Sequence, residues 1–199
     1  MKLEFQSSRL FSGFLFSVLL ALCLILLSQT KAQADYINLP VPNIQQDTEV
    51  WCWAAVAEEI VLGVRGRKDT PRQCHMVAIA KNASPAVCCA NFNACKITGG
   101  LEDIQRLILH FGGRPSSIQP PANPYVLFQT LQSGRPIILQ INPSGMGMSH
   151  VVVLRGMDIS NAPWGPRATL FINDPLIPNV VSVDFSQIVG IWQAAIVVD

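Results

Sequence analysis

Hydrophobic residues follow one rhythm in the middle of the chain and another toward its end. Trp51 to Leu62, WCWAAVAEEIVL, is alanine-rich and apolar and is closed by Gly63, which predicts a helix. Thr70-Pro71 pairs an N-cap residue with proline at a first helical position, which predicts a second helix from there to about Lys81. Asn82 to Gly100 is small, polar and rich in cysteine, and reads as a loop. Leu101, Ile104, Leu107, Ile108 and Phe111 share one face at helical spacing, so a third helix is expected from about Gly99–Leu101 until Gly112-Gly113 stops it. A fourth, short helix is expected from Asn123-Pro124 to Gly134. Beyond Gly134 the apolar positions bunch into short runs rich in Val and Ile: RPIILQIN, HVVVLRG, ATLFIND and NVVSVDF, with AAIVVD as a further candidate. Separated by Gly, Pro and Asn, these predict strands of an antiparallel sheet. Helices first and sheet second is an α+β arrangement, with Asp35–Asp47 as an extended lead-in and no sign of a repeat or second domain.

The start of the chain has a different grammar. Lys2 and Arg9 precede an almost unbroken apolar run from Leu10 to Leu27, and SQTKAQA follows, with small residues at Ala32 and Ala34. That pattern predicts a secretory signal peptide over residues 1–34, cleaved after Ala34, and a single domain over residues 35–199. The competing expectation is an uncleaved anchor, since the run nearly has the length of a membrane span. With cleavage the expected location is periplasmic or secreted.

Half of the 199 residues are apolar and 14% are charged, enough for a sizeable core. Residues 35–199 hold 11 Lys and Arg against 12 Asp and Glu, a net charge of −1. No basic face for nucleic acid and no charge run for a membrane surface is evident, and no cofactor is indicated. Oligomeric state is not readable.

The cysteines narrow the picture. Cys23 falls in the signal segment; Cys74, Cys88, Cys89 and Cys95 lie within 22 residues, and Cys52 stands alone. In an oxidising compartment an even cluster predicts two disulfides and the odd residue a free thiol. Adjacent cysteines seldom bond to each other, so Cys74 should pair with Cys88 or Cys89 and Cys95 with the other. The rival is a zinc site that includes His75.

A cysteine attacks as thiolate, and the start of a helix favours that anion through unpaired N–H groups. Cys52 sits at such a start, flanked by Trp51 and Trp53 and followed by Ala54 and Ala55. The stretch Gln46-Asp47-Thr48-Glu49-Val50-Trp51-Cys52-Trp53-Ala54-Ala55 resembles the nucleophile segment of papain-like cysteine peptidases. Their glutamine six residues before the cysteine contributes to the oxyanion hole; Gln46 has that spacing, with Gln45 the second choice. Ser149-His150-Val151-Val152-Val153-Leu154-Arg155-Gly156, after Ser144-Gly145-Met146-Gly147-Met148, resembles the strand that presents the family's base. Ile172-Asn173-Asp174-Pro175 resembles the segment of the third catalytic residue, where papain uses asparagine and bacterial relatives often use aspartate before proline. On that resemblance Asp174 is the expected member rather than Asn173, and only one of the two should face His150, since neighbouring strand residues point opposite ways.

The resemblance is to compact bacterial members, such as papain-fold effector proteases and the peptidases that trim bacteriocin leaders. It implies a fold with a nucleophile-bearing helical part followed by an antiparallel sheet or half-barrel. It also implies hydrolysis of a peptide or protein substrate. The cysteine and glycine that precede papain's nucleophile are missing, with Glu49 and Val50 in that region. Other acyl chemistry on the same three residues is the first alternative: a cell-wall peptide amidase or transglutaminase-like transfer. A non-catalytic papain-fold binding or toxin-associated domain is the second. Singly, Cys52 could be an inert buried thiol, His150 a core histidine and Asp174 a strand end, with Asp158 another carboxylate within reach. His75 and His110 read as structural or surface residues, and Trp51 and Trp53 as core or cleft wall.

Overall fold

The computed structural model describes residues 35–143, 147–162 and 165–199, without the side chains of Asn161 and Ala162. The expected signal segment and Ser144-Gly145-Met146 lie outside the described residues. Helix α1 (Cys52–Arg65) is the central element of the first half. Nine consecutive residues, Trp53 to Val61, are buried, so the helix is covered all round, with the apolar character such a position demands. Helix α2 (Gln73–Ala80) packs beside it and helix α3 (Pro85–Ala90) packs on α2, followed by a single 3₁₀ turn, Phe92–Cys95. Helix α4 (Leu101–Leu107) runs on into a wider, π-type turn, Ile108–Gly112, and its expected apolar face is buried at Leu101, Ile104, Leu107 and Ile108.

Two sequence expectations need correction here. Thr70 does not cap α2, which starts three residues later. Its hydroxyl turns back to donate to Gly66 O at 2.7 Å, after a short 3₁₀ segment, Arg67–Asp69. Asn82–Gly100 is not simply a loop, because it folds α3 and the following 3₁₀ turn between its cross-links. The disulfides are Cys74–Cys89 and Cys88–Cys95, and Cys52 is the free cysteine among the described residues. The rival zinc set is therefore engaged otherwise: Cys74 and Cys89 bond each other, with His75 Nδ1 at 3.7 Å from the Cys89 sulfur.

The second half is an antiparallel sheet. Its strands are β1 (Asp35–Asn38), β2 (Ser116–Gln119), β3 (Ile137–Ile141), β4 (His150–Ala162), β5 (Gly165–Asn173), β6 (Val181–Asp184) and β7 (Trp192–Val198). The order is β2-β7-β3-β4-β5-β6; β1 continues the edge of β4 where β3 ends, with Asn38 opposite Gly156. A side chain at Gly156 would meet Ile37 O at 2.6 Å, so glycine is needed where the two strands close up. Part of the lead-in is thus a strand. Helix α5 (Pro124–Gln132) begins as expected, with Asn123 Oδ1 accepting from Val126 N at 3.0 Å. Helix α6 (Phe185–Val189) follows β6 directly, capped by Asp184.

The alternation of strand side chains builds two cores, one on each face. Ile138, Val151, Val153 and Ile196 face the helices, packing with Trp53, Val56 and Ile60. Ile137, Leu139, Val152, Leu154, Leu170 and Ile172 form the other, closed by Leu127, Phe128 and Leu131 of α5. A sheet covered on both faces accounts for nearly unbroken apolar runs such as VVVL. Everything from Asp35 onward belongs to one compact unit. Among the described residues no helix is long and apolar enough to cross a membrane.

Candidate active site

Cys52 is the first residue of α1. The turn before it is closed by Trp51 N donating to Thr48 O at 3.2 Å, and Ala54 N and Ala55 N both reach Trp51 O. The N–H groups of Cys52 and Trp53 therefore precede the first available helical carbonyl, as at any helix start, and no acidic side chain occupies the first turn. Both flanking tryptophans are anchored on the cross-linked segment: Trp51 Nε1 donates to Cys95 O at 3.1 Å and Trp53 Nε1 to Ile97 O at 3.2 Å. Trp51 and Trp53 are both core residues. Trp53 also walls the cleft, held between Gly99 and the Lys81 ammonium, which sits 5.2 Å from the ring centre.

His150 opens β4, opposite Ile141 of β3. Its Nε2 meets Asp174 Oδ1 at 2.7 Å, and the ring lines the same cleft as Cys52. With Nε2 engaged by the carboxylate, Nδ1 is the nitrogen left for the thiol. Asp174 is the first residue after β5, and its position is set by an Asp-Pro turn. Leu176 N donates to its Oδ1 at 2.9 Å and Ile177 N to its carbonyl at 2.9 Å. The structure thus brings Cys52, His150 and Asp174 together from a helix start, a strand start and a strand end.

Asn173 faces the other way. It is fully buried, and its Nδ2 donates to Val41 O at 3.1 Å and to Glu59 Oε2 at 3.2 Å. Asp158 lies eight residues further along β4 than His150, about 25 Å at strand rise.

The electrostatics follow from this packing. Burial disfavours a charged His150 ring, but the hydrogen bond and charge of Asp174, with the Cys52 sulfur adding to both, raise its pKa from 6.5 to about 9. Burial likewise opposes charge on Asp174, and is outweighed by the bonds from His150 and Leu176 N, which leave its pKa below the usual range. Glu59 has no such cation. Burial dominates and pushes its carboxyl from 4.5 up to about 8, against the bonds from Ile44 N and Asn173.

A cleft of about 190 Å³ opens over Cys52 and His150, walled by Val50, Trp53 and Gly99 on the helical side and by Met148 and Leu176 on the other. Gln46 is half buried and is not among the cleft-lining side chains. Its Nε2 donates to Thr48 O at 2.7 Å, in the turn leading into Cys52, and its backbone N–H donates to Pro175 O at 2.9 Å. Gln45 is exposed. Sequence reasoning did not single out Gln73 or Glu59, although Glu58-Glu59 in the middle of an otherwise apolar helix was a visible signal for a buried acid.

Among curated protein sequences none matches the chain. Procathepsin L 3 and UfSP, two solved structures, share its fold at low identity. Procathepsin L 3 from the larval midgut of Tenebrio molitor is 12% identical with a TM-score of 0.56, covering 85% of this chain and 71% of that one. UfSP from C. elegans is 13% identical with a TM-score of 0.53 over 85% of this chain; the match spans 34% of that protein's length. A C39-like peptidase from Bacillus anthracis is 14% identical with a TM-score of 0.48, covering 82% of this chain and 97% of that one. The family model described as papain-like cysteine protease AvrRpt2 matches residues 35–184, from β1 through the cleft residues to the end of β6. The chain therefore belongs to the AvrRpt2 family of papain-like cysteine proteases.

Proposed function

We propose that this is an exported peptidase that cleaves peptide bonds through a thioester on Cys52. The single observation that carries the reading is His150, bonded through Nε2 to Asp174 Oδ1 at 2.7 Å and lining one cleft with Cys52. In the acylation step His150 holds the thiol proton as an imidazolium and the sulfur attacks the scissile carbonyl carbon. The carbonyl electrons move onto oxygen, where the Cys52 N–H and the Gln46 carboxamide are the proposed donors. Collapse of that intermediate expels the amine, which takes the proton from His150. Water then attacks the thioester while His150 accepts its proton, and the acid product and free thiol are regenerated. Asp174 keeps the imidazole in the tautomer and orientation that present Nδ1 to sulfur throughout.

Export is supported by the basic start, the apolar run and Ala32-Gln33-Ala34, together with two disulfides, which suit an oxidising compartment. The expected mature N-terminus is Asp35.

The test is iodoacetamide labelling of the folded protein followed by peptide mass mapping. Cys52 alone should be labelled, and His150→Ala should slow that reaction strongly. Labelling confined to the unfolded chain would refute the nucleophile. Adding a primary amine to a turnover assay separates hydrolysis from acyl transfer, since transfer would yield the amine adduct as main product. Export is tested by N-terminal sequencing of protein recovered outside the cytoplasm, and a retained Met1 would refute cleavage.

A further inference from the structure

The main chain around Gln46 is clamped by one buried side chain. Gln73, the first residue of α2, is 2% exposed. Its Nε2 donates to Gln45 O at 2.9 Å, and its Oε1 accepts from Asp47 N at 2.9 Å. A single carboxamide therefore pairs with the backbone on both sides of Gln46, as a neighbouring strand would. From the opposite direction Gln46 N donates to Pro175 O, in the turn that carries Asp174. Two residues before Gln46, Ile44 N is held by Glu59 Oε1 at 2.9 Å. With its main chain fixed this way, Gln46 directs its own Nε2 to Thr48 O, the carbonyl that also receives Trp51 N at the entrance to α1.

We infer that Gln73 is a positioning residue for the reaction: it fixes the Gln45–Asp47 main chain so that the Gln46 carboxamide is presented beside Cys52 for the developing oxyanion. The inference rests on the proposed role of Gln46 as an oxyanion donor. Gln73 is itself no catalytic residue, since both ends of its amide are spent on backbone groups. Its neighbour Cys74 is bonded to Cys89, so the base of the clamp is tied covalently to the segment that anchors Trp51 and Trp53. A donor must be preorganised to stabilise an oxyanion, and displacement by about 1 Å can cost up to about a hundredfold in rate.

The experiment compares two reactions of Cys52. Acylation by p-nitrophenyl acetate passes through an oxyanion; displacement on iodoacetamide does not. Gln73→Met, of similar length but unable to hold either backbone group, should slow acylation about tenfold. Its iodoacetamide rate should stay within about twofold of wild type, because Cys52, His150 and Asp174 are untouched. Gln46→Ala should slow acylation at least as much, and the double variant no more than Gln46→Ala alone. Equal loss in both reactions, or multiplied losses in the double variant, would overturn the clamp. If Gln73→Met does not fold, Gln73→Glu is read by the same ratio: it keeps the bond from Asp47 N and loses the one to Gln45 O. Loss in Gln46→Ala with none in the Gln73 variants sinks the clamp alone. No acylation loss in Gln46→Ala sinks the oxyanion role and the clamp with it.

Discussion

Replacing Asp174 by asparagine removes a charge while leaving an oxygen that can accept from His150 Nε2. The carboxylate supports the charged ring, so its removal must lower the His150 pKa. In the wild type that pKa stands at about 9 rather than 6.5. At about 1.4 kcal/mol per pH unit, this is ~3 kcal/mol in favour of imidazolium, shared between Asp174 and the Cys52 sulfur. The His150 and Asp174 side chains are 15% and 20% exposed, so modest solvent screening leaves Asp174 a share of about 1.5 kcal/mol, close to tenfold. In the proposed mechanism the imidazolium protonates the leaving amine, so its loss sets the alkaline limb of kcat/KM. The assay is kcat/KM for an internally quenched peptide from pH 5 to 10. The alkaline limb should move from near 9 in the wild type to about 8 in Asp174→Asn, with activity at pH 8.5 falling several-fold more than at pH 6. An alkaline limb that stays in place, or moves upward, would refute the assignment of Asp174 as the charge that supports His150.

Three further outcomes are expected. Glu59 titrates at about 8 in the fold against 4.5 unperturbed, so the folded state binds its proton more tightly than the unfolded chain. Stability is then lost as pH rises from 4.5 through 8. The unfolding free energy of Glu59→Gln should shift relative to wild type in the variant's favour between pH 5 and 9, by ~1–3 kcal/mol in urea unfolding, and a constant difference would contradict this. Gly99→Ala would place a Cβ 2.3 Å from the Trp53 ring. It should cost ~1–3 kcal/mol by urea unfolding together with a fall in kcat/KM, since Trp53 walls the cleft. Replacing both Cys74 and Cys89 by serine opens a cross-link of sequence separation 15 and should cost about 3 kcal/mol by urea unfolding. A loss below about 1 kcal/mol would mean that α2 and α3 hold together without it.

Elements with a full apolar face or a clear cap were legible from residues alone. Helix α4 shows its spacing over three turns, and Asn123 announces α5. The failures share a physical cause, because the deciding partner lay outside the segment. Thr70 looked like a cap until its hydroxyl found Gly66 O. Helix α3 is six residues long, too short for periodicity, and its Cys88 and Cys89 are held by partners on either side. Strands β1 and β2, DYIN and SSIQ, have no apolar alternation and exist because β4 and β7 offer them pairing. Helix α6 was not foreseen, and only its first residue, Phe185, fell in the run NVVSVDF, although Asp184 and Gln187 form a readable capping box.

The site divides in the same way. Cys52, His150 and Asp174 could be picked out because their chemistry marks them and their neighbours set their context. Gln73 could not, since it acts on backbone groups 26 and 28 residues away, which any sequence offers. Asn173 and Asp174 were separable in principle by strand alternation, but the direction of that alternation needed the buried Glu59 to fix it.

The pairing of β1 with β4, and of Val41 with Asn173 across 132 residues of chain, bears on when the enzyme can first act. Contacts so distant in sequence form late in folding, after the local helices, because long loops must close before they bring any gain. The helix bearing Cys52 can form early, yet His150 and Asp174 arrive only when the sheet docks on it. A chain still being made, or threaded across a membrane as the proposed export requires, therefore carries the nucleophile without the means to use it. Under the proposed mechanism, hydrolysis therefore waits on the docking of the sheet against the helices and not on the formation of the helix that bears Cys52.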